Sequence, residues 1–317
     1  MMRPVLKALF AALFALLAQI ALPGPVQAQK LDETPRTVVM TAFKPEWDAL
    51  LPAISDPKPH VINGRTFLTG IFAGKPVILM QSGVSVVNAA MNTQLVLDRF
   101  TVKRIVFSGI AGGVDPTLAI GDVVVPEDWG QYLETAFARK AGKGWAPPPL
   151  DTADAPANWF FIYPRGTVVA NAATAPRRLF RLPVDPQLLD LARKVVTSVT
   201  LERCVPKSET MGAGSRLCLP RAPKIQIGGT GVTAGVFADN KEFRLYLQKA
   251  WNARVLDMES AAVMQVAYSN MVPAIVFRSL SDLAGGDREK NMEETFAHLA
   301  SVNSALVVRG FVAALPD

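Results

Sequence analysis

Two spacings of apolar residues alternate along the chain, and they predict strands interspersed with helices. Short β-branched or apolar runs between turns predict strands, whereas apolar residues three or four positions apart predict helices. The predicted strands lie at 37–42, 67–72, 75–81, 104–108, 121–126, 224–228 and 272–279, and the predicted helices at 44–51, 88–100, 241–251, 256–270 and 292–314. Because strands and helices alternate, we predict an α/β sheet.

The spacing changes between about 130 and 223. Prolines such as those at 147–149 and the pair Arg177-Arg178 interrupt this stretch, and only 186–201 has clear helical spacing. Since the stretch lacks its own run of regular strands, we predict an insertion or lid rather than a second core. The predicted domain covers 29–317 with the insertion at about 130–223.

The first 28 residues have the pattern of a signal peptide. Arg3 and Lys7 precede the apolar stretch 8–22, and small or apolar residues at 26–28 form a cleavage site. A bilayer span needs roughly 20 apolar residues, so this stretch is short for one. A retained membrane anchor is the alternative. We predict cleavage after Ala28 and a periplasmic or secreted protein that is not attached to a membrane.

Composition narrows the possible functions. Half of the residues are apolar and 19% are charged, which suffices for a large core and excludes a disordered chain. The net charge is +6, but the basic residues are scattered, so we predict no nucleic-acid binding. His60 and His298 are too few for a histidine-rich metal site, and we predict no metal or other cofactor.

The chain contains two cysteines, Cys204 and Cys218. In an exported protein, a single pair of cysteines predicts a disulfide. Two unrelated buried thiols are the alternative. The polar segment between the two cysteines is typical of a surface loop that a disulfide would close.

Three segments carry the candidate chemistry. The glycine-rich segment 109–113 follows a predicted strand, where backbone N–H groups can approach a ligand, although a tight turn would also explain it. Asp257 and Glu259 lie at a predicted helix start, where capping alone would also account for them. Asp282 follows an apolar strand, where burial often shifts a carboxyl pKa; a cap or turn is the alternative.

In their order along the chain, these segments resemble the nucleoside phosphorylase/nucleosidase family. The resemblance is carried by Glu46, SGV at 82–84, NAA at 88–90, SGIAGGVDPTLAIGDVVVP from 108, VLDMESAAVMQVAY from 255 and FRSLSDLAGG from 277. The chain looks most like 5′-methylthioadenosine/S-adenosylhomocysteine nucleosidases. The resemblance implies a three-layer α/β/α fold with a central mixed sheet, a small nucleoside as ligand and a homo-oligomer, most simply a dimer.

The same resemblance implies roles for seven residues. They comprise two catalytic carboxylates and five substrate contacts: Asp282 as the acid that protonates purine N7, Glu46 as the carboxylate that activates water, Met258 and Glu259 at the ribose, Phe237 stacked on the base, Ala238 reading the adenine edge through its main chain, and Gly112 in the glycine segment.

Two other functions are compatible with this family. A purine nucleoside phosphorylase would need arginines at a phosphate site, and none is evident beside the glycine segment, so hydrolysis is favoured. The insertion contains LERC, which ends at the first cysteine, and CLPRAPK, which begins at the second. It is similar to an exported branch that includes plant bark storage proteins. That branch has lost the carboxylates that this chain retains in DMES and SD, so an enzyme is favoured over a storage or binding protein.

The chain departs from the nucleosidase pattern at two places. Ile110 replaces a serine that adenosine-type nucleosidases often have, and WGQY at 129–132 stands where a Tyr-His-Asp stretch is expected. Both departures lie near the 5′ side of the sugar. The 5′-substituent of the nucleoside is therefore left open.

Overall fold

A computed structural model describes residues 29–147, 149, 154–206 and 216–316. The predicted signal peptide, residues 1–28, lies outside the described residues. Part of the segment between the two cysteines, 207–215, also lies outside them.

The described chain forms strands and helices throughout. The strands are β1 (Asp32–Thr41), β2 (Ile54–Ile62), β3 (Arg65–Phe72), β4 (Lys75–Gln81), β5 (Phe100–Gly113), β6 (Val123–Val125), β7 (Asp128–Gln131), β8 (Thr135–Phe137), β9 (Arg139–Ala141), β10 (Gly144–Ala146), β11 (Ile162–Pro164), β12 (Thr167–Asn171), β13 (Thr174–Leu179), β14 (Leu182–Pro183), β15 (Cys204–Pro206), β16 (Arg216–Cys218), β17 (Ile225–Ile227), β18 (Thr230–Thr233), β19 (Ala253–Asp257) and β20 (Ala274–Asp282). The α-helices are α1 (Lys44–Leu50), α2 (Val86–Arg99), α3 (Pro186–Val195), α4 (Lys241–Trp251), α5 (Ser260–Ser269) and α6 (Glu293–Ala313). Short 3₁₀ helices follow α1 at Leu51–Ala53 and α3 at Val196–Ser198.

A mixed sheet of twelve strands lies at the centre of the described residues. Its order is β14-β7-β18-β19-β5-β1-β4-β3-β2, and β20 pairs with both β5 and β6, which in turn pairs with β17. The pairing is parallel between β1 and β4, between β1 and β5, and between β5 and β20. It is antiparallel between β2 and β3 and between β3 and β4. The predicted central mixed sheet is confirmed.

Helices form a layer on each face of this sheet. Helix α2 packs against α5 in one layer, and α1 packs against α6 in the other. Every residue of β20 is buried, which is expected of a central strand covered by helices on both faces. The three-layer α/β/α fold expected from the resemblance is confirmed.

Helix α6 belongs to this core. By length and composition it is long and apolar enough to cross a membrane, but 67% of its most apolar window is buried inside the protein. Phe311 of this helix packs against Phe277 of β20, with ring centroids 5.0 Å apart. The apolar character of α6 is therefore explained by its place against the sheet.

Strand β5 is longer than predicted. It extends to Gly113, so the glycine-rich segment 109–113 is the end of a strand, and the prediction that this segment follows the strand is wrong. The reason is the close approach of β20. A Cβ at Gly113 would lie 2.8 Å from Leu280 Cδ1, so glycine lets β5 continue beside its neighbour without displacing this side chain.

Strand β2 was not predicted. Its sequence is polar and contains two prolines, which weakens any strand pattern. In the structure it pairs with β3 alone, so it is an edge strand, where the missing proline N–H groups cost no ladder hydrogen bond.

The stretch 130–223 contains more strand than predicted. In its described part, four antiparallel pairs stand apart from the central sheet: β8 with β11, β9 with β10, β12 with β13, and β15 with β16. Most of these strands have three residues, which is too short for a readable alternation. The predicted helix at 186–201 is α3 followed by a 3₁₀ turn. That this stretch is an insertion into one domain stays a prediction.

The predicted disulfide between Cys204 and Cys218 is present. It joins β15 to β16, where the two cysteines are directly opposite each other in the antiparallel register. Val205 and Leu219, beside the cysteines, are buried against Leu299 of α6. The bond therefore fixes a small pair of strands that packs on the core.

We predict that the Cys204→Ser, Cys218→Ser double variant folds with a free energy of unfolding lower by about 3 kcal/mol. The loop closed by the bond spans about 15 residues, and cross-linking it restricts the unfolded chain. Urea unfolding of the oxidised protein and the double variant measures this difference. Equal stability, or two thiols that react with an alkylating agent before reduction, would contradict the prediction.

Candidate active site

A cavity of about 260 Å³ lies where β5, β19 and β20 end. It is lined by Ala42, Phe43, Glu46, Val84, Ile110, Ala111, Gly112, Val236, Phe237, Ala238, Leu256, Asp257, Met258, Glu259, Ser281, Asp282 and Glu293. All seven residues that the resemblance marked as catalytic or substrate-binding are among them. The structure thus brings together side chains that are up to 236 positions apart, from Glu46 to Asp282.

A fully buried arginine, Arg278 of β20, lies beside the cavity. Its Nε donates to Asp257 Oδ2 at 2.8 Å, and its Nη2 donates to Ser260 Oγ at 2.8 Å. Its Nη1 is 3.9 Å from Glu46 Oε1, and its Nη2 is 3.8 Å from Glu259 Oε2. One guanidinium therefore lies within 4 Å of three carboxylates that belong to different parts of the chain.

Gly109 provides the space for this guanidinium. The register of the sheet pairs Gly109 with Arg278. A Cβ at Gly109 would lie 1.7 Å from Arg278 Nη1 and 2.6 Å from Glu46 Oε1. Any other residue at position 109 would displace the ion pair, which explains the first glycine of the segment.

Sequence reasoning missed Arg278. No arginine was evident beside the glycine segment in the sequence, whereas the structure pairs Arg278 with Gly109 across β20 and β5. A charged residue inside an otherwise apolar strand was the available signal, because a buried arginine requires partners. The guanidinium is enclosed among carboxylates and does not line the cavity. It is therefore not accessible to an anion bound in the cavity.

Glu46 is held at the start of α1. Pro45 occupies the first turn of this helix, where its missing N–H is not needed. Glu46 is 3% exposed, and its carboxylate accepts hydrogen bonds from the N–H groups of Ala42 at 2.5 Å and Ile110 at 2.8 Å. Burial raises the pKa of Glu46, while Arg278 and the N–H groups act in the opposite direction. The result is a fixed carboxylate poised to accept a proton.

Glu259 lies at the N-terminus of α5. Its Oε1 accepts a hydrogen bond from Ser85 N–H at 2.8 Å. Ser85 has φ 80° and ψ 156°, a conformation that costs a non-glycine residue roughly 1–3 kcal/mol and that here aims its N–H at Glu259. Burial, then the neighbouring Asp257, raises the pKa of Glu259 to about 7.

Asp282 is the last residue of β20. Its Oδ2 accepts a hydrogen bond from Ser281 Oγ at 2.9 Å, and its Oδ1 accepts one from Ala284 N–H at 2.8 Å. Through the second bond, Asp282 also caps the turn that follows the strand. This is the alternative role that the sequence left open for it. Burial raises the pKa of Asp282 above its usual range. The neutral acid is therefore favoured relative to an exposed aspartate.

The remaining predicted contacts line the same cavity. A Cβ at Gly112 would lie 3.0 Å from Asp282 Oδ1, so this glycine lets the acid approach the strand. Phe237 is 58% exposed beside the cavity, which leaves its ring available to a planar base. Ala238 and Met258 are half-buried.

The stretch predicted to be an insertion contacts the helix that follows Ala238. The Trp159 ring lies 5.5 Å from Phe243 and 5.0 Å from Tyr246, both in α4. Tyr246 Oη also donates to Ala157 O at 2.9 Å. Asn240 caps α4 two residues after Ala238, so the stretch packs behind the segment predicted to bind the base.

The charge of the cavity is one-sided. Among the described residues that line it there is no lysine or arginine, and there are five acids: Glu46, Asp257, Glu259, Asp282 and Glu293. The last of these was not predicted. Such a lining stabilises positive charge that develops on a bound molecule and disfavours an anion. Within the described part of the chain, no group of three His, Cys, Asp or Glu residues is arranged to hold a metal ion.

Curated relatives cover most of the chain. Bark storage protein A of Populus deltoides is 28% identical over 271 residues, which are 80% of this chain and 79% of that protein. A 5′-methylthioadenosine/S-adenosylhomocysteine nucleosidase of Mycobacterium tuberculosis is 27% identical over 271 residues, covering 86% and 94% of the two chains.

Solved structures share the fold. Futalosine hydrolase of Helicobacter pylori has a TM-score of 0.64 and 20% identity, covering 89% of this chain and 98% of its own. A 5′-methylthioadenosine/S-adenosylhomocysteine nucleosidase of Neisseria meningitidis, in complex with methylthio-immucillin-A, has a TM-score of 0.63 and 21% identity, covering 88% and 99%.

The family model described as Phosphorylase superfamily matches residues 36–313. This range includes the central sheet except the first four residues of β1, both helix layers and every residue that lines the cavity. The chain therefore belongs to the phosphorylase superfamily.

Proposed function

We propose that this protein hydrolyses the N-glycosidic bond of a purine nucleoside similar to 5′-methylthioadenosine or S-adenosylhomocysteine. The observation that carries the proposal is a cavity lined by five acids and, among the described residues, by no lysine or arginine. Cleavage of the C1′–N9 bond builds positive charge on the sugar, and this lining stabilises that charge. The nucleosidase relatives named above support the choice of substrate class.

In the proposed reaction, Asp282 acts on the leaving base. As the C1′–N9 bond breaks, its electron pair moves to the base, and the Asp282 proton passes to N7 so that the base leaves neutral. A carboxylic acid can do this near neutral pH only if its pKa is raised. Burial of Asp282 supplies a shift in that direction.

Glu46 acts on the attacking water. The water oxygen forms a bond to C1′ while its proton passes to the Glu46 carboxylate, which Ala42 and Ile110 hold in place. Glu259 binds the sugar hydroxyls and adds negative charge beside the cationic ring. Met258 contacts the ribose, Phe237 stacks on the base, the Ala238 main chain reads the adenine edge, and Gly112 lies against the substrate.

Phosphorolysis is the first alternative. It requires a site for a phosphate dianion, which usually means exposed arginines or lysines. Arg278 is enclosed and ion-paired to Asp257, so it does not offer its charge to the cavity. A storage or binding role is the second alternative, supported by the similarity to bark storage protein A. The retention of Glu46, Glu259 and Asp282 in one cavity favours catalysis instead.

A homodimer accords with the surface near the cavity. Val87 and Met91 of α2 are 75% and 52% exposed, and Val236 and Phe237 at the cavity are also exposed. A second copy of the chain that covered these side chains would remove apolar area from water. The dimer stays a prediction that rests on the resemblance and on this exposed apolar area.

We predict release of free base without phosphate. Purified protein is incubated with 5′-methylthioadenosine, S-adenosylhomocysteine, adenosine or inosine, each with and without phosphate, and base and sugar are separated by chromatography. Equal release in both conditions is expected, with Glu46→Gln as the control that loses it. Release only with phosphate, together with ribose 1-phosphate, would establish phosphorolysis; no release from any nucleoside would favour storage.

We predict that Asp282→Asn lowers kcat at least about 10²-fold, because general acid catalysis is typically worth about 10²–10⁴-fold. KM should stay within about tenfold, since an amide can still hydrogen-bond the purine. In the wild type, activity falls as pH rises through the raised pKa of Asp282, because the acid loses its proton. This alkaline limb should be absent from the variant.

Asp287→Asn is the matched control for that variant. Asp287 accepts a hydrogen bond from Leu283 N–H in the turn after β20, yet it does not line the cavity. Its loss of kcat should be far smaller. Wild-type turnover in Asp282→Asn, with unchanged thermal unfolding, would remove Asp282 from the mechanism.

We also propose that the protein is exported, with a signal peptide at 1–28 and a mature domain from 29. Signal peptidases read the residues one and three positions before the cut, and Ala28 and Val26 place a small and an apolar residue there. Mass spectrometry of the protein expressed in a bacterial host should give a periplasmic or secreted form that begins at Gln29. An intact Met1 in a membrane fraction would indicate a retained anchor.

A further inference from the structure

The reaction proposed above gives no role to two acids of the cavity, Asp257 and Glu293. Asp257 is ion-paired to Arg278, which leaves Glu293. Glu293 is the first residue of α6, is partly buried and lines the cavity. Its N–H donates to Asn291 Oδ1 at 2.9 Å, but within the described residues no hydrogen bond or ion pair engages its carboxylate. A carboxylate without a partner in a cavity is available to a ligand.

The helix dipole does not explain why this carboxylate lines the cavity. Glu294, the next residue, is also in the first turn of α6 but is exposed and does not line the cavity. Either carboxylate can interact favourably with the N-terminus of the helix. The property that distinguishes Glu293 from Glu294 is its contact with the cavity.

The position of Glu293 is electrostatically unfavourable in the free protein. Burial, then the neighbouring carboxyl groups of Asp282 and Glu294, raises the pKa of Glu293. A bound group that carries positive charge would relieve this repulsion, whereas a phosphate would increase it. The preference follows from the same one-sided charge that characterises the whole cavity.

The proposed reaction indicates which part of the substrate meets Glu293. Asp282, Phe237 and Ala238 are assigned to the base, and Glu46, Met258 and Glu259 to the water and the sugar ring. The substituent on C5′ is the part of the nucleoside to which no charged side chain has been assigned. Glu293 is the cavity acid left without a partner.

We propose that Glu293 is a specificity-determining residue that selects nucleosides whose 5′-substituent carries an ammonium group over nucleosides whose 5′-substituent is neutral or anionic. This inference rests on the proposed nucleosidase function. It names the charge of the 5′-substituent, which the sequence left open.

The test compares 5′-amino-5′-deoxyadenosine, which is cationic near neutral pH, with neutral 5′-methylthioadenosine. The ratio of their kcat/KM values is measured for the wild type, Glu293→Gln and Glu294→Gln at about pH 7.5. In Glu293→Gln, we expect this ratio to fall up to about fivefold through KM, the size of a partly screened ion pair. In Glu294→Gln, which keeps the cavity acid and removes a negative charge that raises its pKa, the ratio should not fall.

Salt gives a second readout that a merely structural role would not alter. Raising the ionic strength should lower the ratio in the wild type and leave it constant in Glu293→Gln, because only the wild type has the ion pair to screen. An unchanged ratio in Glu293→Gln, or an equal fall in Glu294→Gln, would overturn the proposal.

Failure of the proposed function would be seen separately. If the wild type hydrolyses neither nucleoside, the same pair and the same variants are compared by calorimetric binding. A preference for the amine that is lost in Glu293→Gln would still support the role of Glu293. Absence of that preference, or of any binding, would overturn it.

Discussion

The buried guanidinium of Arg278 is the constraint on which the cavity depends. An arginine with no exposed surface must be paired, and removing one partner from such a pair typically costs about 3–5 kcal/mol. Its partners come from β19, from the start of α5 and from α1, so the ion pairs link both helix layers to the sheet. The register of β5 against β20 places Gly109 directly opposite Arg278, where no side chain would fit.

This arrangement explains how acids are concentrated without destabilising the fold. Asp257 forms the direct ion pair with Arg278, while Glu46 and Glu259 lie just under 4 Å from the same guanidinium and take hydrogen bonds from backbone N–H groups. Asp282 and Glu293 are not ion-paired to it. Neither group has a cationic partner among the described residues, and burial raises the pKa of both, which suits Asp282 to hold a proton and leaves Glu293 open to a cation.

Much of this architecture could be predicted from the sequence because it depends on local patterns. Helix α4 was predicted with its observed bounds, and β3 and β4 were recognised from two apolar runs that flank a glycine turn. Cavity residues such as Glu46 and Asp282 were identified through short motifs. Motifs of this kind identify residues whose side-chain chemistry the site requires, even when the motifs lie far apart along the chain.

The rest depends on contacts between distant segments. The partners of Arg278 follow from the register of β5 and β20 and from the packing of α1, neither of which leaves a periodic signal. Glu293 has the same first-turn sequence environment as Glu294, and only the direction in which α6 leaves the preceding loop brings it to the cavity. The edge strand β2 could not be predicted because its prolines argue against a strand. They are tolerated here only because β2 has a neighbour on one side and none on the other.

The claim at the centre of this mechanism is that burial keeps Asp282 protonated until it donates its proton to the leaving purine. It is tested most directly by an NMR titration of protein with ¹³C-labelled aspartate carboxyl groups, in which the Asp282 signal is assigned by its absence from Asp282→Asn. The predicted result is a titration midpoint clearly above the usual range of aspartate. A midpoint within or below that range would show that Asp282 is ionised at neutral pH, and it would contradict its role as the proton donor.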